Sequence, residues 1–244
     1  MTEIIDKDKY VRNIFNTIAR KYDLMNLIMT WGMLPGWQKF LLKKTRLTKG
    51  KKALDVCCGT GELAMQMAEL VGPEGQVWGL DFAQNMLNIA QEKVKNSEQK
   101  NITFVEGDAL QLPFPNDNFD TVTNGFALRN VLDISQAIKE MTRVVKPGGT
   151  VVCIEVSRPH NFLLRMGFNL YFFKVVPLIG KVVDKGKAID NKFPPYTWLP
   201  ESLKTFPSQE EIKRIFQGAG LKEVKYYPLG FGAVTVYVGV KRTG

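Results

Sequence analysis

Residues 53–64 read Ala-Leu-Asp-Val-Cys-Cys-Gly-Thr-Gly-Glu-Leu-Ala. A short apolar run over 53–57 enters the turn Gly59-Thr60-Gly61, then a helical pattern over about 62–71 that Gly72-Pro73 stops. Strands buried on both faces read as continuous apolar runs, so this stretch predicts the opening strand, turn and helix of a parallel α/β sheet. Glycines let the backbone approach a ligand closely, and the helix N-terminus offers unpaired N–H groups. Asp81 lies 20 residues after Gly61, closing a second apolar run over 77–80. An acid there can accept hydrogen bonds from the hydroxyls of a ribose.

The same rhythm extends outward. A helix is predicted through about Val94, strands over 102–106, 119–123 and 150–156, and a helix over about 134–144 that ends before Pro147-Gly148-Gly149. Alternating strands and helices of this kind define an α/β class with a mainly parallel sheet. Ser208-Gln-Glu-Glu211 spells a capping box that opens a helix ending near Gly218 and Gly220. Two closing strands, about 224–228 and 234–240, join through Gly230 and Gly232 as an antiparallel hairpin. Upstream, Val11, Ile14, Phe15, Ile18 and Tyr22 fall at helical spacing and predict one helix over 8–30. Gly32, Pro35 and Gly36 then turn the chain into a short basic helix over 37–45. The chain divides into an N-terminal helical cap (1–48), a core (49–157), an inserted lid (158–206) and a C-terminal helix and hairpin (207–244), all in one domain.

Composition bounds what this unit can be. With 244 residues, 45% of them hydrophobic and 23% charged, the chain is an ordinary globular sequence, not collagen-like, disordered or repetitive. A chain of this length buries roughly 70–75% of the surface its unfolded form exposes, so it needs no staples. Cys57, Cys58 and Cys153 form no disulfide framework, and the charged opening Met-Thr-Glu-Ile-Ile-Asp-Lys is not a signal h-region; both suggest a reducing cytoplasm. His160 is the only histidine and there is no Cys-x-x-Cys pair, so no metal site is expected. The net charge of +9 points to a polyanion or a membrane surface.

Two cofactors compete for the glycine turn. Gly59-x-Gly61-x-x-Ala64 matches a loose dinucleotide fingerprint, which would make the protein a nicotinamide-dependent oxidoreductase. Asp55, inside the first strand, argues otherwise, because a carboxylate there would repel a pyrophosphate. An acid before the glycines resembles motif I of S-adenosylmethionine (SAM) methyltransferases, where it lies near the methionine ammonium. Gly107-Asp108-Ala109 after the third strand resembles the segment that meets the adenine amine in that fold. Phe193-Pro-Pro-Tyr196 resembles an amine-methylating motif, but it does not follow the fourth strand and its Phe cannot accept an amine hydrogen bond.

More of the chain resembles the quinone-biosynthesis C-methyltransferases that act on demethylmenaquinol and on the ubiquinol precursor. The similarity is carried by Phe15-Asn-Thr-Ile-Ala-Arg-Lys-Tyr-Asp-Leu-Met-Asn26, Leu54-Asp-Val-Cys-Cys-Gly-Thr-Gly61, Gly79-Leu-Asp-Phe82, Leu112-Pro-Phe-Pro115, Phe126-Ala-Leu-Arg-Asn130, Val144-Val-Lys-Pro-Gly-Gly149 and Tyr196-Thr-Trp-Leu-Pro-Glu201. It spans nearly the whole chain, and the double Cys and Gly72-Pro73-Glu74-Gly75 look most like the bacterial menaquinone branch. The resemblance implies a class I SAM-dependent methyltransferase with a Rossmann-like, mainly parallel seven-stranded sheet. It implies SAM as cofactor, with Asp55, Gly59, Thr60, Gly61, Asp81, Asp108, Ala109 and Gly125 lining its site. Tyr22 and Asp23 would cap cofactor and substrate, while Arg129 and Asn130 would face the quinol ring. The activity implied is methylation of the demethylmenaquinol ring to menaquinol; a paralogous C- or O-methyltransferase on another lipophilic aromatic is the alternative. Two departures stand out. Gly32-Met-Leu-Pro-Gly-Trp37 puts Leu34 where the family pattern carries His, and residues 185–195 make the segment before Tyr196 longer than usual.

That chemistry needs a nucleophilic ring carbon, which a quinol acquires as its hydroxyl, of pKa ~10, loses a proton. Arg129 cannot act as a base and is expected to steady the oxyanion with a water; Asp23 is the expected base. Cys57 and Cys58 are expected to be packing residues. In the lid, residues 158–192 carry seven Lys/Arg against two Asp, or +5 of the total charge, and 162–183 are strongly apolar. Arg165, Lys174, Pro177, Gly180 and Lys181 argue against a membrane-spanning helix. Basic and apolar together suggest an interfacial surface that collects a lipophilic quinol, at the inner face of the membrane. Burial against the domain or a homodimer contact is the alternative for the same residues. Nucleic acid is not expected as a partner, because Tyr171, Phe172 and Phe173 lie inside the apolar run.

Overall fold

A computed structural model describes residues 2–184 and 195–243. Seven strands form one sheet in the order β3-β2-β1-β4-β5-β7-β6. These are β1 Lys52–Val56, β2 Gln76–Asp81, β3 Ile102–Glu106, β4 Phe119–Gly125, β5 Val145–Val156, β6 Leu221–Leu229 and β7 Val234–Lys241. All neighbours are parallel except β7, which runs antiparallel to both β5 and β6. The strand order reverses between β1 and β4, and a crevice opens at the carboxyl ends of strands beside such a switch point. Central β1 is buried at four of its five positions, which is why it reads as an unbroken apolar run.

Helices cover both faces: α4 Glu62–Val71, α5 Gln84–Lys95, α6 Ile134–Val144 and α10 Gln209–Gly218. The predicted capping box is present, with Ser208 accepting from the Glu211 N–H and Glu211 accepting from the Ser208 N–H. The fifth strand begins earlier than expected and carries Pro147-Gly148-Gly149 through an irregularity where its register with β4 shifts. Gly149 belongs there because a Cβ would sit 2.6 Å from the Asp120 carbonyl oxygen.

The predicted N-terminal helix is two. α1 Thr2–Ile18 and α2 Tyr22–Met29 are separated by a 3₁₀ turn at Ala19–Lys21. Ile14, Ile18 and Met25 are buried and keep helical spacing across the turn, so periodicity cannot register the break. These residues pack on Ala83 and Met86 beside α5 and on Tyr196, laying the cap over the crevice. α3 Leu34–Lys44 packs through Leu41 against Leu63, Val152 and Ile154.

The lid comprises α7 Phe162–Leu170, a π-helical turn Tyr171–Val175, α8 Val176–Asp184 and, after a 3₁₀ turn at Pro195–Thr197, α9 Trp198–Lys204. Pro177 and Gly180 do not break this run: Phe162–Gly180 is 19 helical residues, long and apolar enough by length and composition to cross a membrane. The π turn lies just before Pro177, whose ring would clash with an ordinary helical carbonyl four residues earlier. Gly180 admits Tyr196, whose Cβ would lie 2.3 Å from a Cβ at 180. Phe172 and Val176 are buried, and the Tyr171 hydroxyl donates to the Met29 carbonyl at 2.9 Å, which holds one side of the run on the cap. The expected long segment before Tyr196, and Phe193 and Pro194 of the Pro-Pro-Tyr motif, lie outside the described residues.

Candidate active site

Two clefts and one larger cavity meet at the switch point. The first cleft takes in Cys57, Gly59, Asp81, Asp108, Ala109 and Gly125. A second, of about 250 Å³, takes in Asp23, Asp55, Thr60, Leu63 and again Gly59 and Gly125. The third, of about 280 Å³, is mostly apolar and lies under α1, α2 and the lid, with Arg129 and Asn130 in its wall. Tyr22 and Phe126 border all three spaces, and Asn130 borders the first and third.

The turn that shapes the clefts is strained in a consistent way. Cys57 (φ 58°) after β1 and Phe126 (φ 58°) after β4 adopt left-handed conformations that cost side-chain-bearing residues about 1–2 kcal/mol each. Gly61 (φ 80°) caps α4 without lining a cleft; a Cβ there would meet Phe104 at 2.9 Å. Asp81 accepts from the Gly59 N–H at 2.8 Å and the Ala83 N–H at 2.9 Å, tying turn to second strand. Burial raises its pKa, and those N–H groups pull it back. Asp108 accepts from the Leu110 N–H at 2.8 Å.

Asp55 is 2% exposed and takes one hydrogen bond, from the Thr123 hydroxyl at 2.7 Å. Burial pushes its carboxyl up to about 7, a sign of charge left uncompensated beside a cleft. The thiols of Cys57, Cys58 and Cys153 are raised well above their ordinary range by burial, which makes them poor nucleophiles. Among the described residues no group of three or more His, Cys, Asp or Glu is arranged to hold a metal.

Arg129 sits in a buried network that the sequence did not single out. Its guanidinium is ion-paired with Glu155, which is 0% exposed at the end of β5, and donates to the Phe126 carbonyl at 2.6 Å. Glu155 also accepts from the backbone N–H of Arg129 and of Val156. Arg129 Nε keeps no acceptor. Asn130 Oδ1 accepts from the Trp198 indole N–H at 2.9 Å. An indole nitrogen can only donate, so the amide oxygen faces it and Nδ2, buried and without an acceptor, is left over. The one available signal for Glu155 was a charged residue closing an apolar strand; Trp198 lay in a block that carries the family resemblance but was given no role, and Thr123 carried no signal.

Asp23 is not brought together with these groups. It accepts from the Thr60 hydroxyl at 2.5 Å and pairs with Lys93 Nζ at 2.7 Å, and it lines the second cleft rather than the apolar cavity. Its carboxylate thereby ties the cap to the glycine turn and, through Lys93, to α5. Burial raises the Tyr22 phenol. Leu34, at the departure from the family pattern, lines both the apolar cavity and the second cleft.

The fold, together with a buried acid before a glycine turn and further acids, Asp81 and Asp108, at the ends of the next two strands, is that of a SAM-dependent methyltransferase. A crystal structure of a SAM-dependent methyltransferase from Aquifex aeolicus superposes with a TM-score of 0.59 at 21% identity, over 83% of this chain and 88% of that one. Phosphoethanolamine N-methyltransferase 2 from Haemonchus contortus, solved in complex with SAM, gives 0.62 at 18% identity, over 85% of this chain and 53% of the other. The chain belongs to the ubiE/COQ5 methyltransferase family, which it matches over residues 3–241. Demethylmenaquinone methyltransferases from Geobacillus stearothermophilus and Bacillus mycoides are each 42% identical to it, the first over 97% of this chain and 98% of its own, the second over 96% and 97%.

Proposed function

We propose that the protein methylates the ring carbon of demethylmenaquinol, the apolar cavity holding the ring and the two clefts holding SAM. The carrying observation is the pair of buried donors without acceptors, Arg129 Nε and Asn130 Nδ2, in residues that line an apolar cavity sharing Tyr22 and Phe126 with the cofactor clefts. SAM fits the clefts because its ammonium would offset the buried charge of Asp55, while Asp81 and Asp108 suit its ribose and adenine. When bound, it supplies a methyl group on a positively charged sulfur.

The chain's own residues then prepare the acceptor. Two donors to a phenolate, at about 1.5–3 kcal/mol each for a charged acceptor, would bring a phenol of pKa ~10 down to about 6–8. That allows the proton to leave to water without a dedicated carboxylate base. Glu155 and Trp198 hold the two donors in register. Tyr22 and Phe126 wall the junction, excluding water where the methyl crosses. Thr60, Gly59, Ala109 and Gly125 shape the cofactor side, and Gly61 caps the helix behind them. In this reading cap (1–48), core (49–157), lid (158–206) and C-terminal segment (207–244) act as one domain. The acceptor partitions into the bilayer, so the enzyme works as a peripheral cytoplasmic protein that reaches the membrane through residues 158–192. Leu34 supports a second acceptor class: an apolar wall in place of an imidazole suits a quinol or aromatic with a less polar head.

Methyl transfer from labelled SAM to reduced demethylmenaquinone, read by mass, tests this. One methyl gained on the ring, with at least 100-fold loss in Arg129→Lys and Asn130→Ala, is expected. Binding of SAM with no transfer to this quinol, but transfer to another aromatic, would favour the Leu34 reading.

A further inference from the structure

The lid carries a groove that the methyl-transfer site does not use. Arg158, His160, Arg165, Lys174 and Lys204 line it, with no Asp or Glu among the lining residues. Lys204 is paired with Glu201, and Arg158 donates to the carbonyls of Leu203 and Lys204. Arg165 and Lys174 have no carboxylate partner among the described residues. Arg165, Asn169 and Phe173 stand at i, i+4 and i+8, so one side of the helical run faces the groove.

The same run is otherwise apolar and open. Leu163 is 74% exposed and Leu170, which lines the groove, 65%, while Phe172 and Val176 on the inner side are buried. Two further apolar tips flank it. Trp31, 76% exposed at the end of α2, lies 6.1 Å from the Tyr171 ring and borders the acceptor cavity. Phe231 is 83% exposed at the turn between β6 and β7 and is held there in a left-handed conformation (φ 57°). Its neighbours Gly230 and Gly232 pack on Trp37 and on Pro159, which lines the basic groove. Exposed apolar side chains of the helical run, and Trp31 at the cavity, thus stand beside a groove lined by cations, and the turn that carries Phe231 packs on the groove's Pro159. Scattered exposed apolar residues need no explanation; several gathered beside a cationic groove mark an interaction surface.

We infer that this face seats on an anionic phospholipid surface, with the Arg158–Arg165–Lys174 groove taking phosphate-bearing headgroups and Trp31, Leu163, Leu170 and Phe231 entering the acyl boundary. The inference rests on the lipophilic-acceptor reading and gives it an entry route, since the cavity mouth then opens toward lipid. Charge decides the occupant. A second copy of the chain would bring its own cations against these, and the best-stacked aromatic pair here, Phe168 with Phe172 at 5.1 Å, is closed on itself rather than open to nucleobases.

The test is co-sedimentation of the full chain with vesicles of phosphatidylcholine alone and with 30% phosphatidylglycerol (roughly one lipid in three), at two salt concentrations. Tighter, salt-sensitive binding to the anionic vesicles is expected. Neutralising both unpaired cations, Arg165→Ala with Lys174→Ala, should weaken it about 25-fold, at fivefold per near-surface cation. Leu163→Ser with Leu170→Ser should lower binding to both vesicle types. Each variant should keep its thermal shift with S-adenosylhomocysteine and its activity on a short-chain, water-soluble quinol. Equal binding to neutral and anionic vesicles, an unaffected cation variant, a dimer in sedimentation velocity that Leu163→Ser with Leu170→Ser dissolves, or RNA binding without vesicle binding would each overturn the inference. Vesicle binding with no activity on any quinol would sink the proposed reaction instead and leave this surface standing.

Discussion

Replacing Asp55 by Asn should make the empty enzyme more stable and a worse methyltransferase. Asp55 is buried in the central strand with one hydroxyl donor, and its pKa rises from 3.8 to about 7 through loss of hydration. A carboxyl whose folded pKa lies above its unfolded one favours folding in its protonated form. Its stabilising contribution is therefore complete below pH ~4 and is lost as pH rises to about 7, where the cost of ionisation levels off. Each pKa unit is worth about 1.4 kcal/mol, so the loss amounts to at most about 4 kcal/mol at pH 8 and less than about 2 kcal/mol at pH 5. Asn fills the same space, still accepts from Thr123 and cannot ionise. Thermal unfolding of the ligand-free protein should show Asp55→Asn above the parent at pH 8, by up to about 10 °C for a chain of this size, with a smaller gap at pH 5. S-adenosylhomocysteine, which keeps the ammonium, should reverse the order at pH 8, and calorimetry should show its affinity reduced at least 30-fold by the substitution. Equal stability of the two proteins at pH 8, or unchanged affinity for the ligand, would refute the assignment of an uncompensated carboxylate waiting for an ammonium.

Three further outcomes follow from the same geometry. Glu155→Ala strands a buried guanidinium and should cost about 3–5 kcal/mol in urea unfolding; the milder Glu155→Gln should lower kcat at least tenfold and move the pH–rate profile while leaving S-adenosylhomocysteine affinity unchanged. Trp198→Phe keeps the ring and removes the donor to Asn130, so turnover should fall about tenfold, the equivalent of one hydrogen bond at ~1.4 kcal/mol, with a melting temperature close to the parent's. Lys93→Ala opens the contact between α5 and Asp23; since a partly exposed pair is worth at most about 1 kcal/mol, stopped-flow release of S-adenosylhomocysteine should quicken up to about fivefold with little change in stability.

Much of this protein was legible in residues 53–64 and the rhythm around them. Strands and helices of the core announce themselves because a doubly covered sheet forces continuous apolar runs, and Gly59, Gly61 and Asp81 lie at strand ends where local rules place turns and acids. The cofactor type could be read because the glycines and acids that suggest it follow one another along successive strand ends. On the acceptor side the family resemblance offered Arg129 and Asn130, but not the partners that hold them. Glu155 meets Arg129 across 26 residues and Trp198 meets Asn130 across 68, pairings that local sequence does not encode. Asp23 looked like a free acid beside Tyr22 until the fold brought Lys93 and Thr60 to it. The lid read as an interrupted apolar stretch because Pro177 and Gly180 are helix breakers in isolation; in the fold a π turn accommodates the proline, and the close approach of Tyr196 makes the glycine necessary. Local patterns determined which elements form and what cofactor their turns suit, because backbone propensity and burial act over a few residues. Which charge ends beside which was decided only by tertiary structure, since electrostatic partners are set by distance in space and not along the chain.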